Sequence, residues 1–434
     1  MRREIVHVGA EQLIYEIRQI VGVAHEIAKL GKDIKWENIG DPVEKGLKIE
    51  PWMKKIITGL TSEDKSYGYA DSQGVPAVRK FLADMANSRD GAKAAADDII
   101  FFNGLGDAVA KIFGFLKREA RIIGPSPAYS THSSAEAAHS GYEHLTYKLD
   151  PDNSWLPDLE DLRNKVRYND SIAGILLINP DNPTGIVYSR ELLQEIVDIA
   201  AEYDLFIIAD ETYCNVVFPG VEFTYINEVA GRVPAISMKS VSKEYPWPGA
   251  RCGWLEVYNR GEDEEFNTYV LSLINAKRLE VCSTTLPQLS IPPIMGDKRY
   301  LEHIRVQSET LAARAAEAYS VMKDIEGVQV ILPQGALYFT VLFEEGVLNE
   351  RQKLEIPEPD IRAFIEGITA GSALDKRFVY YLLGVEGICV VPLTGFCSAL
   401  KGFRFTLLET DDKKRTGIYT AIADRVKEFL ASSK

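Results

Sequence analysis

The sequence predicts an α/β protein in which a large domain, its mainly parallel sheet sandwiched by helices, is joined to a smaller α+β domain. Three observations carry this. Between residues 99 and 258 short, nearly continuous apolar runs recur, at 99–102, 172–178, 205–209, 235–238 and 254–258. Such runs suit strands covered on both faces, with helical stretches such as 192–201 between several of them. Near residue 299 the pattern changes, because Ile304, Leu311, Ala315, Ala318 and Met322 mark one long helix closed by Gly327. Beyond it lie strand-like segments at 328–332, 336–343, 388–391 and 403–408. A final amphipathic helix carries Ile418, Ile422, Val426, Phe429 and Leu430.

Upstream, residues 11–30 carry Leu13, Ile14, Ile17, Ile20, Val21, Ala24, Ile27 and Leu30 at helical spacing, and Gly31 ends that helix. Residues 344–375 read as a charged surface insertion. The expected division is a large domain at 61–298 and a small one made of 1–60 and 299–434.

A chain of 434 residues, 46% hydrophobic and 26% charged, can bury a large core. Its net charge of −14 offers no overall attraction for nucleic acid or an anionic membrane, which leaves small molecules as the expected partners. Cys214, Cys252, Cys282, Cys389 and Cys397 are scattered, with no C-x-x-C pair, and point to a reducing compartment. His132, His139 and His144 share one stretch without cysteine or carboxylate partners at ligand spacing; they are expected to face solvent, and no metal is expected. The start Met1-Arg2-Arg3-Glu4 lacks an apolar signal region and no apolar run approaches a membrane span, so the expected location is cytoplasmic.

Four local signals fall at predicted strand ends of the large domain, where open α/β sheets bind ligands. The first is Asn103-Gly104-Leu105-Gly106-Asp107, a strand running through glycines into a helix, whose free N–H groups and dipole suit a phosphate. Val109 stands where a dinucleotide fingerprint needs its third glycine, and an ordinary tight turn explains the glycines equally well. The second is Asn179-Pro180-Asp181-Asn182-Pro183-Thr184-Gly185, in which two X-Pro bonds stiffen a loop around one amide. Asp210-Glu211-Thr212-Tyr213 is the third; a lone Asp there would ordinarily be a helix cap. The fourth sets Lys243 between Ser240, Ser242 and the constrained Pro246-Trp247-Pro248-Gly249, eight residues before Arg251, in apolar surroundings that suit imine chemistry.

In their order and spacing these motifs resemble the fold-type I pyridoxal-phosphate enzymes, specifically the class I/II aminotransferases with the aspartate aminotransferase-like fold. The resemblance extends from Asn38-Ile39-Gly40-Asp41-Pro42 to Phe403-Arg404-Phe405. It implies pyridoxal 5'-phosphate as cofactor. Lys243 resembles the Schiff-base lysine and proton shuttle, Asp210 the carboxylate facing the pyridine nitrogen, and Asn182 with Tyr213 the pair on the phenolic oxygen. Tyr129 resembles the stacking aromatic, while Arg251, Ser240 and the backbone at Gly104 and Leu105 resemble the phosphate cradle. Tyr69 matches a tyrosine reaching the phosphate from a neighbouring subunit, which implies a homodimer. Arg404 matches the arginine for the substrate carboxylate, and Gly40 the glycine over which the substrate passes.

Gln334-Gly335-Ala336-Leu337-Tyr338 and Gly387-Ile388-Cys389-Val390-Val391-Pro392 are most similar to the alanine aminotransferase branch, which implies an amino acid and a 2-oxo acid as substrates. Leu393-Thr394 and Cys397 depart from that branch's usual residues. A C–S β-lyase or an aminocyclopropane-carboxylate synthase relative would share the same lysine, aspartate and arginines. A non-catalytic regulator carrying this fold would need a DNA-binding head, for which the region before Asn38 has no room.

Overall fold

Apolar runs with no polar face must be covered on both sides, and here they form five strands of an eight-stranded sheet, Ile99–Phe102, Ile172–Ile178, Phe206–Asp210, Ala235–Ser240 and Gly253–Tyr258. The computed structural model describes residues 5–13 and 16–432, without the side chains of Glu16 and Ile17. Its strands are β1 (Lys35–Trp36), β2 (Ile99–Phe102), β3 (Arg121–Ser126), β4 (Thr146–Asp150), β5 (Leu156–Pro157), β6 (Ile172–Ile178), β7 (Phe206–Asp210), β8 (Ala235–Ser240), β9 (Gly253–Tyr258), β10 (Val328–Val330), β11 (Tyr338–Phe343), β12 (Ile388–Cys389), β13 (Val391–Pro392) and β14 (Gly402–Thr406).

The large sheet has the order β2-β9-β8-β7-β6-β3-β4-β5. Strands β4, β3, β6, β7 and β8 pair in parallel, whereas β9 runs antiparallel to both β2 and β8. Successive side chains of a strand point to opposite faces. Accordingly Ile175, Leu177, Ile207 and Ala209 pack with Leu193, Ile196 and Val197 of the helix Arg190–Glu202. Leu176, Ile178, Ile208 and Ile236 pack on the other face with Val109 and Ile112 of the helix Leu105–Gly114 and with Val270 and Leu273 of the helix Glu264–Leu279.

A second, antiparallel sheet has the order β10-β11-β14-β13, and β1 pairs in parallel with β12 beside it. Phe339, Phe343, Phe378, Phe403, Phe405, Tyr419 and Phe429 build its core. The long helix Tyr300–Met322 joins both regions: Tyr300 packs with Ile291 and Ile294, while Leu311, Ala315 and Met322 pack against the antiparallel sheet. Met53, from the helix Pro51–Thr61, packs with Val78, Ile291 and Ile294.

Several expectations change. The first helix spans Glu16–Lys29, preceded by a separate turn at Ala10–Gln12, and Leu13 is exposed; Ile14 lies outside the described residues. Gly327, with φ +82°, does not cap the long helix, which ends at Met322, but stands at the start of β10. β4, which no apolar run marks, is covered on one face only: Tyr147 and Leu149 are buried and Lys148 between them is exposed. Nor is 344–375 merely a surface insertion. Leu354 and Ile356, with Ile361 and Ile365 of the helix Pro359–Thr369, bury against the small sheet's core, and only the intervening residues carry the charge.

Ile365→Ala is therefore expected to cost about 2–5 kcal/mol, as for other large-to-small core changes. A urea midpoint equal to that of the wild-type protein would contradict this packing.

Candidate active site

Because β3, β6, β7 and β8 are parallel, the loops leaving their C-terminal ends share one edge of the sheet. β2 runs in the same direction, and the antiparallel β9 brings its entry loop there, with Gly253 opposite both Phe102 and Ser240. These loops enclose a cavity of about 230 Å³. Leu105, Tyr129, Asn182, Asp210, Tyr213, Ser240, Lys243 and Arg251 all line it, as do His132, Thr212 and Tyr338.

Asp210 ends β7 and is 7% exposed. His132 Nε2 lies 2.7 Å from its Oδ2, while Thr212 donates to its Oδ1 from the hydroxyl at 2.6 Å and the backbone N–H at 3.1 Å. Burial pushes the Asp210 pKa up, but His132 and Thr212 outweigh it and hold the carboxylate below its ordinary value. The neighbouring Glu211 turns to the opposite side, where Lys239 Nζ donates to it at 2.8 Å and Ser237 at 2.5 Å. Strand alternation thus gives the cavity one carboxylate of the adjacent pair.

His132 is a correction to the expectation of solvent-facing histidines: it is 2% exposed, on the helix Ser130–Ser140 whose first turn faces Asp210. His144 is also buried, with Nδ1 3.0 Å from Glu136, and His139 meets the Lys117 carbonyl at 2.9 Å. Among the described residues no three His, Cys, Asp or Glu side chains are grouped to hold a metal.

Gly104 has φ +84°, a conformation glycine adopts without strain, and it delivers the chain into the helix at Leu105. A Cβ on Gly104 would fall 2.3 Å from Arg251 Nη2. The guanidinium therefore lies against the bare backbone at a helix N-terminus, with Ser240 lining the same cavity. N–H donors, a helix dipole and a planar fork converge there, a donor set that fits a phosphate.

Lys243 Nζ donates to the Gly40 carbonyl at 2.5 Å, and Gln307 of the long helix donates to the Lys243 carbonyl at 3.0 Å. The loop carrying Asn182 is pinned by more than its prolines. Thr184 binds Asp181 through its hydroxyl at 2.6 Å and its N–H at 3.0 Å, and Thr340 of β11 donates to the Pro183 carbonyl at 2.8 Å. Asn182 Oδ1 accepts from Arg404 Nη1 at 3.1 Å, which leaves its donor end for a ligand. Arg404 Nη2 donates to the Asn38 carbonyl, Tyr338 and Phe396 cover the guanidinium with Cζ 4.1 and 5.0 Å from their ring centres, and Nε has no partner. An unpaired buried donor of this kind costs about 1–3 kcal/mol until something accepts from it.

Tyr213 and Tyr338 join through their hydroxyls at 3.0 Å. Burial raises both phenols, but Lys243 and Arg404 oppose it at Tyr338, which makes Tyr338 the more acidic of the two. A Cβ on Gly40 would strike the Tyr338 hydroxyl at 2.3 Å, so glycine is required there while the ring holds this place.

Gly40, Gly104 and Arg404 do not line the cavity themselves but touch the lining residues Lys243, Arg251 and Asn182, whereas Tyr69 lies outside the lining and is 87% exposed. The sequence reading missed His132, whose signal was its position three residues after Tyr129. It also left Tyr338 without a role although its motif was noted.

His132→Phe is expected to raise the pKa of Asp210, since burial would then be opposed by Thr212 alone. A folded value below the unfolded one means that ionised Asp210 stabilises the protein above about pH 4 and that this is lost on acidification through the lower folded value. In His132→Phe that loss should begin at higher pH, read by the infrared carboxyl band that Asp210→Asn removes. An unchanged titration would show that Thr212 suffices.

Residues 38–418 match the family model for aminotransferase class I and II. An uncharacterized aminotransferase of Methanocaldococcus jannaschii is 52% identical over 430 residues, covering 99% of this chain and 100% of that protein. The glutamate-pyruvate aminotransferase AlaA of Escherichia coli K12 is 29% identical over 331 residues, 76% of this chain and 80% of its own. Among solved structures, an Escherichia coli aminotransferase superposes with a TM-score of 0.84 at 25% identity over 99% of this chain and 98% of its own. The alanine aminotransferase of Pyrococcus furiosus gives 0.83 at 26% identity over 99% of both chains. The fold is thus that of the aminotransferases it resembles in sequence, and the chain belongs to the class I and II aminotransferase family.

Proposed function

We propose that the enzyme uses pyridoxal 5'-phosphate, held on Lys243 as a Schiff base, to move the amino group of an L-amino acid to a 2-oxo acid such as 2-oxoglutarate. Alanine is the preferred donor in this reading, within a range that can extend to aromatic amino acids. One observation carries it: a buried carboxylate held ionised, a lysine and the arginine that lies against Gly104 line one small cavity, and the buried guanidinium of Arg404, without an anion, is bonded to the lining Asn182 and covered by the lining Tyr338. The relatives named alanine and glutamate-pyruvate aminotransferase support the choice of donor. So does the lining, whose cations among the described residues are Lys243 and Arg251, with none left over for an acidic donor side chain.

In this reading Arg251, Ser240 and the N–H groups at Gly104 and Leu105 hold the phosphate, Tyr129 stacks on the ring, and Asn182 and Tyr213 bind the phenolic oxygen. When bound, the cofactor supplies an electron sink for the α-carbon, provided its ring nitrogen stays protonated. Asp210 keeps that proton in place by remaining ionised. Arg404 takes the α-carboxylate, Gly40 leaves it room, and Lys243 Nζ accepts and returns the α-proton as base and acid.

Tyr69 is proposed to reach the phosphate of a second copy, making the working form a homodimer, and the unit 61–298 is proposed to be closed over by 1–60 with 299–434. All five cysteines are unpaired, in keeping with a reducing, cytoplasmic setting. Among the described residues no helix is long and apolar enough to cross a membrane.

A screen of amino donors against 2-oxoglutarate and pyruvate should give transfer with alanine, with conversion of the cofactor to its amino form when the acceptor is left out. Release of thiol, ammonia and pyruvate from a cysteine S-conjugate without an acceptor, the thiolate leaving from Cβ, would instead favour the lyase chemistry open to this fold. Lys243→Ala should lower turnover by about 10²–10⁴-fold or more while leaving non-covalent cofactor binding. Full activity in that variant would reject the role. Arg404→Ala should raise KM for every donor by about 10- to 100-fold, the loss expected for hydrogen bonds to a charged group. An unchanged KM would place the carboxylate site elsewhere.

A further inference from the structure

Tyr338 touches three parts of the candidate site at once. Its hydroxyl meets that of Tyr213 at 3.0 Å, its ring lies under the Arg404 guanidinium at 4.1 Å, and it overhangs Gly40, whose carbonyl accepts from Lys243. It occupies the start of β11 and pairs with Thr406 of β14, so the strands that place Arg404 also place this ring. Both tyrosines are buried, so their hydroxyls depend on each other and on whatever fills the cavity that they line.

A phenol has one proton to give. If Tyr213 spends its own on the cofactor's phenolic oxygen, its oxygen must accept, and Tyr338 is the neighbour placed to donate. Linked hydrogen bonds strengthen one another, so the strength of the Tyr338 donor sets how firmly Tyr213 holds that oxygen. With Lys243 committed to the cofactor, the cation that strengthens Tyr338 as a donor is the Arg404 guanidinium over its ring. A carboxylate arriving on Arg404 offsets that charge and weakens the chain.

We infer that Tyr338 is a positioning residue that relays occupancy of the carboxylate site at Arg404, through its hydroxyl bond to Tyr213, to the phenolic oxygen of the cofactor. The relay rests on the cofactor assignment proposed for Lys243. Its sign follows from the chain of donors: a weaker Tyr213 bond leaves more negative charge on the phenolic oxygen, which favours the protonated form of the Lys243 linkage. Filling the carboxylate site therefore raises the pH at which that linkage titrates. The Asn182 amide, bonded to the same arginine, offers a separate route that a change at Tyr338 leaves in place.

The test is a spectrophotometric pH titration of the holoenzyme's visible band, with and without propionate, a carboxylate that lacks an amino group and cannot react. The wild-type midpoint should rise on adding propionate. Tyr338→Phe, which keeps the ring over Arg404, should start from a higher midpoint and show a propionate displacement reduced to roughly half or less, while propionate still inhibits competitively. Tyr213→Phe removes the same bond from its other end, and the double variant should behave like Tyr213→Phe alone. Equal displacements in the wild type and Tyr338→Phe, or additive effects of the two changes, would overturn the relay. Loss of propionate binding in Tyr338→Phe would also overturn it, by making the hydroxyl part of the carboxylate site itself. A wild-type protein that develops no band with pyridoxal phosphate would remove the cofactor assignment and the relay together, whereas a band with equal displacements removes the relay alone.

Discussion

The guanidinium of Arg404 is 1% exposed, packed against the rings of Tyr338 and Phe396 and bonded to the Asn38 carbonyl and the Asn182 amide, with no carboxylate of the described residues in salt-bridge reach. Removing a charge from water costs several kcal/mol unless a partner compensates, and neutral dipoles and ring faces do so only in part. The fold accepts this because the arginine sits in the middle of a ladder, paired with Thr340 on one side and Val391 on the other. Its bond to Asn182 ties the antiparallel sheet to a loop of the large sheet. What remains is an Nε without any acceptor, further guanidinium N–H donors beyond the two in use, and one positive charge, the complement of an amino acid's carboxylate.

The rest of the site answers a different problem, which is to keep a second charge buried nearby with the opposite sign. Asp210 stays ionised against its burial because His132 and Thr212 meet both of its oxygens. Parallel strands make this possible. Their C-terminal ends deliver Asn182, Asp210 and Lys243 to one edge from three separate loops, and the antiparallel β9 returns Arg251 to the same edge. Between the two charges lie Tyr213 and Tyr338, which line the cavity and bond to each other through their hydroxyls.

Much of this was legible in the sequence for a simple reason: strands covered on both faces write themselves as unbroken apolar runs, and β2 and β6 fall on the residues that those runs mark. Asn182, Asp210, Lys243 and Arg251 were legible because each stands at a strand end beside glycine, proline or a hydroxyl. The failures share a cause too. Burial on a short helix is decided by distant partners, so the stretch holding Pro359–Thr369 read as a charged surface insertion although Ile361 and Ile365 are covered, and β4, covered on one face, carries no apolar run to mark it. His132 looked like a surface histidine because its partner Asp210 lies 78 positions along the chain. Tyr69 has no neighbour in a single chain that would reveal a role for it.

The central claim, that Lys243 carries the cofactor, is tested most directly by reducing the holoenzyme with borohydride and mapping the modified peptide by mass spectrometry. The account predicts a phosphopyridoxyl group fixed on Lys243 and on no other lysine. A group fixed on a different lysine, or a protein that takes up none after incubation with pyridoxal phosphate, would contradict it.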